Sequence, residues 1–337
     1  MMPVLPEVEP MSLLNETTTS SCDGVVVVDK PSGWTSHDVV AKVRGLLCQR
    51  RIGHAGTLDP DATGVLPLLI GRGTRVAEYL VEWDKEYEAV LRLGVSTDTQ
   101  DATGAVLSTK PLDGLGVAQV EKVIAQFAGV QQQVPPMYSA VKIGGVPLYK
   151  AARAGRVVER QARTVTFHRI EITDCTLPHV RMRVTCSKGT YIRTLCADIG
   201  EALGVGGHLA SLRRTRVGPF GVDQAVSLED VAMRAAEGTV SGVVWSIDQV
   251  LRDLPTLVVP ESVANRVVHG APIAMADGTW EWGKGADRPQ RTVRIKNDQG
   301  VLLALGEIAP PFLTGPHVGS GRNGQAIRIH KVLVETQ

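Results

Sequence analysis

The sequence is poor in aromatic side chains, poor in cysteine and without any long apolar run. Aromatics make up 4% of the 337 residues, so each aromatic inside a motif carries weight. The five cysteines, Cys22, Cys48, Cys175, Cys186 and Cys196, are odd in number and none has CxxC spacing. That argues against a disulfide framework and a structural zinc site, and a reducing cytoplasm is the expected location. No apolar run approaches the ~20 residues of a membrane span. Residues 1–23 lack a basic start and a sustained apolar stretch, and they carry Glu7, Glu9 and Glu16. They read as a flexible tail rather than a signal peptide.

Net charge is only +1, which says nothing about partners. Its distribution says more. Residues 140–220 hold 14 Lys and Arg against 5 Asp and Glu, while residues 221–290 hold 5 against 10. A basic stretch inside a neutral chain suits a phosphate-tracking surface, although a solvated, salt-bridged face has the same composition.

The apolar pattern predicts a mixture of elements. Gly24–Asp29 is a β-branched run and reads as a buried strand, followed by the turn Lys30-Pro-Ser-Gly33. Ser36 is placed to cap a helix with the apolar stripe Val39, Val40, Val43, Leu46 and Leu47. A loop is expected from Arg50 to Gly64, then an apolar run from Val65 to Ile70. Lys85–Leu93 alternates as a half-buried strand, as do the residues from Val180 to Cys186. Val117–Phe127 and Thr190–Leu203 have helical spacing, and Ser227 with Asp230 forms a capping-box pattern. The elements do not alternate as βαβ units. The expected fold class is therefore α+β, around a mixed or antiparallel sheet. After Asp253, short strand-like runs separated by Gly- and Pro-rich turns predict a small β-rich C-terminal domain, 254–337, behind a main domain at 24–253.

The segment densest in chemistry is Gly53-His-Ala-Gly-Thr-Leu-Asp-Pro-Asp-Ala-Thr-Gly64. Loops of this composition are favoured places for catalysis. The start imitates a calcium loop, but its twelfth position is Ile70 rather than Glu. Asp59 and Asp61 form a carboxylate pair of the kind glycoside hydrolysis uses, although two residues of separation leave their distance to the turn. Either Asp also suits a helix cap, Asp61 better than Asp59.

This segment resembles the signature loop of the TruB-type tRNA pseudouridine synthases, G-H-x-G-x-L-D-P-x-A-x-G, at every fixed position. Four further blocks agree in order: Asp29-Lys-Pro-Ser-Gly-Trp-Thr-Ser36, Lys85-Glu-Tyr87, Gln133–Ala140 and Cys186–Arg193. The resemblance covers about 24–230. It implies isomerisation of uridine 55 in the T-arm of tRNA, without metal or cofactor, by a stand-alone enzyme that is expected to be a monomer.

The resemblance also implies roles. Asp59 is the catalytic carboxylate, and Arg193 is its cationic partner, keeping it ionised in a dry pocket. Tyr87 stacks on the uracil, and Tyr191 is a further pocket residue. The target base must leave its stack before it can react, and His54 is placed to fill the gap. Lys30, Arg153 and Arg156 are expected to bind substrate. Residues 135–163, with Tyr138, Lys142, Tyr149, Lys150 and glycines 144, 145 and 155, resemble an RNA-gripping thumb. The part from about 254 resembles a PUA-like RNA-binding domain. Three other functions remain compatible with the motifs: a catalytically silent RNA-binding module, a guide-RNA-dependent synthase with protein partners, and a nucleoside or glycoside hydrolase using Asp59 and Asp61.

Overall fold

The structure, a computed structural model, describes residues 22–139, 141–156, 158–281, 291–309 and 326–334. The expected tail lies outside them except for Cys22 and Asp23. Asp23 is tied down, accepting from the backbone NH and the guanidinium of Arg72.

A ten-stranded sheet forms the main body. Its principal order is Val244–Trp245, Gly24–Lys30, Thr63–Ile70, Gly207–Val217, Lys85–Leu93, His179–Cys186, Arg163–Thr176 and Gly129–Gln133. Neighbours run antiparallel except at one central place, where Thr63–Ile70 and Gly207–Val217 run parallel. The expected mixed sheet is thus present. The parallel junction brings the C-terminal side of the signature loop beside a basic strand, with Arg213 facing Thr63 and Arg214 facing Gly64. Gly64 has φ +103°, and an added Cβ would overlap the Arg214 carbonyl. Only glycine allows the two strands to approach this closely.

The first helix runs Ser36–Leu46, and its cap is Thr35 rather than Ser36. Thr35 and Asp38 form the reciprocal capping box. Ser36 is buried and does something else, described below. The expected loop from Arg50 to Gly64 contains a short strand, Ile52–His54, paired with Leu68–Ile70. The helices at Val117–Ala125, Ile192–Ala202 and Leu228–Glu237 match the apolar pattern closely.

The C-terminal region holds a six-stranded sheet from Thr256–Val259 to Ala326–Val332, together with a helix, Glu261–Val268, that the strand-rich pattern did not predict. This sheet is not independent of the main body. Leu305 and Leu333 belong to a buried cluster that includes Val25, Val27, Val76 and Leu80. Arg72 donates to the Leu333 carbonyl at 3.1 Å, and Lys331 pairs with Glu78 at 2.9 Å.

Candidate active site

Asp59 stands in the loop between Ile52–His54 and Thr63–Ile70, and the residues on both sides of it are clamped. On the N-terminal side, the Ser36 hydroxyl receives the Leu58 NH at 2.9 Å and donates to the Leu58 carbonyl at 3.2 Å. On the C-terminal side, the Pro60 carbonyl accepts from the Gly33 NH at 3.0 Å and from the Lys30 ammonium at 2.8 Å. Ser36 and Lys30 are 1% and 0% exposed. Lys30 also donates to the carbonyls of Pro31 and Trp34. Its three protons are therefore all used inside the protein, which corrects the expectation that it binds substrate. Burial lowers the Lys30 ammonium to about 8. It holds the loop rather than a phosphate.

A second buried cation holds the same loop from below. Arg214 is 1% exposed and donates to the carbonyls of Val65, Gly56 and Thr57. Its charge belongs to the basic stretch 140–220, for which the sequence leaves open a phosphate-tracking surface or a solvated, salt-bridged face. The structure places it in the interior instead, and its strand neighbour Arg213 pairs with Asp29 at 2.7 Å. Lys188 and Arg183 also pair with surface carboxylates. The basic excess is thus partly internal and partly neutralised.

Arg193, near the start of the Ile192–Ala202 helix, reaches Asp59 with two donors. Its Nε stands 2.9 Å from one carboxylate oxygen and its Nη2 3.1 Å from the other. Such a two-donor fork fixes orientation as well as charge. The guanidinium, 5% exposed, also donates to the carbonyls of Tyr138 and Thr99 and lies 3.8 Å from Asp101. The Asp59 side chain keeps 41% exposure. Burial nevertheless raises its carboxyl from the ordinary value, Arg193 opposes that rise, and Asp101 adds to it. A carboxylate that is exposed to an incoming group yet held by a buried guanidinium can act as a nucleophile or a base.

Tyr87 lies on the Lys85–Leu93 strand, in register with Arg214 on one side and Val184 on the other. It is 8% exposed, and burial raises its hydroxyl above the usual tyrosine value. Asp59 is close enough to push it up further. Tyr191 is held by its backbone: Gln133 accepts from the Tyr191 NH at 2.8 Å and donates to its carbonyl at 3.0 Å. The structure therefore pairs Arg193 with Asp59, leaves Tyr87 within electrostatic reach of Asp59 and anchors Tyr191 two residues from Arg193.

His54 ends the short strand before the loop. Its ring meets His37 edge-on, with centroids 5.4 Å apart and planes at 82°. Its Nδ1 is buried without a hydrogen-bond partner among the described residues. Burial lowers its pKa to about 4, so the ring is neutral near neutral pH. Arg156 is exposed beyond the short helix Leu148–Arg153, which follows the hairpin of Lys142–Ile143 and Val146–Pro147. Arg153 ends that helix, and its side chain lies outside the described ones.

Asp101, Thr99, Ser36, Gln133 and Arg214 were not singled out from sequence for the site. The Thr-rich turn Thr97–Gly104, with two carboxylates, was the available signal for Asp101. Gln133 lies inside a recognised motif without an assigned role, and Ser36 reads from sequence as a helix cap rather than a loop clamp. A cavity of about 310 Å³ lined by Phe127, Phe167, Leu195 and Asp198 contains none of Asp59, Tyr87 or Arg193. Among the described residues, no group of three or more His, Cys, Asp and Glu is placed to hold a metal. No described helix is long and apolar enough to cross a membrane.

Comparison with known proteins points one way. A model described as TruB family pseudouridylate synthase (N terminal domain) matches residues 44–192. Another, described as tRNA pseudouridylate synthase B C-terminal domain, matches residues 193–259. The tRNA pseudouridine synthase B of Pseudomonas putida is 43% identical over 290 residues, covering 85% of this chain and 92% of its own length. That of Thermobifida fusca is 50% identical over 256 residues, covering 74% and 85%. Among solved structures, a chain of a Cbf5-Nop10-Gar1 complex superposes with a TM-score of 0.71 at 30% identity, covering 93% of this chain and 85% of that one.

Proposed function

The chain belongs to the TruB family of pseudouridylate synthases, and from that premise we propose that it converts uridine 55 in the T-arm of tRNA to pseudouridine with Asp59 as the catalytic carboxylate. The observation that carries the reading is the two-donor contact of Arg193 on Asp59. It sets the Asp59 carboxyl against an otherwise enclosed cation, near a buried tyrosine.

The reaction breaks the C1′–N1 bond of uridine, turns the uracil and rejoins it through C5. The C5 proton is lost and N1 gains one, so no atom is added and no electron transferred. Asp59 attacks at C1′ or C6, or assists the elimination, and each route needs the same ionised oxygen. Tyr87 faces the base, and the target leaves its stack before reaction, with His54 filling the space. Loss of Arg193 would leave the desolvation of Asp59 uncompensated and raise its pKa further.

Residues 24–253 form the catalytic domain in this reading, 135–163 the thumb, and 254–337 a PUA-like domain that binds RNA. The protein acts without cofactor or obligate protein partner, as a cytoplasmic monomer. Purified protein incubated with an unmodified tRNA transcript tests the assignment. Pseudouridine at position 55 with unchanged RNA mass is the expected result. Loss of a base, or modification elsewhere, contradicts it.

A further inference from the structure

We propose that Trp34 is an RNA-contact residue, a stacking platform for a nucleobase flanking the target uridine. The inference rests on the functional reading above and extends it to a residue that reading leaves without a role.

Three observations lead there. First, Trp34 is unlike the two tryptophans of the main sheet region. Trp83 and Trp245 both pack against Phe220. Trp34 is 36% exposed, and its indole makes no ring contact or hydrogen bond with the described residues. An exposed tryptophan presents a large apolar face to water, and such faces are characteristic of binding surfaces.

Second, its backbone is locked to the catalytic loop. The Trp34 carbonyl accepts from the Lys30 ammonium at 2.6 Å, and the same ammonium donates to the Pro60 carbonyl at 2.8 Å. The preceding residue, Gly33, donates to Pro60 as well. Pro60 follows Asp59 directly. The indole is thus carried on a turn whose distance from the catalytic carboxylate is fixed. A platform held in place loses little conformational freedom when a base stacks on it.

Third, the same turn adjoins the ring assigned to fill the gap left by the extruded base. Thr35 caps the helix that follows, and His37, in its first turn, meets His54 edge-on. In the proposed reaction, an exposed aromatic on this turn is available to the bases unstacked around the target. Base-on-indole stacking is tolerant of base identity, which suits an enzyme that meets many tRNAs.

The test uses the full chain and a T-arm stem-loop. Trp34→Ala should weaken binding at least about tenfold, and Trp34→Phe should restore affinity to within about threefold of wild type. The salt slope of binding should stay at the wild-type value, because no phosphate contact is removed. Turnover at saturating RNA should stay within about threefold. A series of stem-loops with single abasic positions around the target identifies the partner base: at one position the difference between wild type and Trp34→Ala should vanish. Quenching of tryptophan fluorescence on RNA binding should shrink in Trp34→Phe, which also serves should the alanine variant fold poorly. Wild-type affinity in Trp34→Ala, a loss that persists at every abasic position, or undiminished quenching in Trp34→Phe overturns the proposal. A flattened salt slope also overturns it. Conversion of the wild-type stem-loop to pseudouridine tests the functional reading separately.

Discussion

The buried ammonium of Lys30 donates to the carbonyl of Pro60 at 2.8 Å, and Pro60 is the residue after Asp59. The position of the Asp59 carboxylate therefore depends on a charge enclosed by the protein. Ser36 acts in the same way on Leu58, the residue before Asp59. Arg214 supports the loop at Gly56 and Thr57. Buried cations that satisfy several carbonyls are costly to break, because each carbonyl loses its partner without regaining water.

Lys30→Met tests this arrangement. Methionine keeps the length and removes the donors, leaving three carbonyls without their ammonium. Stability should fall by about 2–4 kcal/mol. Turnover should fall about tenfold or more, while tRNA affinity changes less than about threefold, a shift below ~0.7 kcal/mol. Denaturant unfolding and single-turnover assays at saturating tRNA measure the two effects. A variant with lost affinity and intact turnover would return Lys30 to the substrate surface.

His54 gives a pH-dependent signature. Its folded pKa is about 4 against an ordinary 6.5. The unfolded chain therefore binds the proton first as the medium is acidified, and stability drains away between those two values. His54→Gln removes that contribution. The difference in unfolding free energy should move in favour of the variant as pH falls from 6.5 toward 4. Parallel stability curves for the two proteins across that window would show that His54 is not withdrawn from water as described.

The proposed thumb is tested by charge. Arg156 is exposed, and Arg153 ends the helix Leu148–Arg153. Replacing both with glutamine should weaken tRNA binding and reduce the slope of log affinity against log salt by up to about 2. Turnover at saturation should hold. Titrations at several salt concentrations decide it, and an unchanged slope places the phosphate contacts elsewhere.

Much of the fold was readable because its strands alternate cleanly. Lys85–Leu93 is an example, with every second residue buried. The long strand Arg163–Thr176 was not found, because bulges between Phe167 and Arg169 and between Ile172 and Asp174 break its period. Gly129–Gln133 was missed because it is mostly polar. At the site, the pairing of Arg193 with Asp59 was legible through the motifs that hold them. The roles of Lys30, Arg214 and Ser36 were not, because a buried cation and a surface cation look alike in sequence. The C-terminal region reads from sequence as separable. The shared cluster of Leu305 and Leu333 with the first strand shows that its removal would expose core of the main body.

In the proposed reaction the Asp59 carboxylate performs the chemistry and Arg193 holds it. Asp59→Asn keeps size and shape while removing the charge, so binding and reaction separate. Single-turnover assays of pseudouridine formation, with tRNA affinity measured on the same preparation and Asp61→Asn as control, give the most direct test. Asp59→Asn should bind tRNA within about tenfold of wild type, a change of ~1.4 kcal/mol, and form no detectable pseudouridine, while Asp61→Asn stays active. An active Asp59→Asn variant, above all beside an inactive Asp61→Asn, would contradict the assignment.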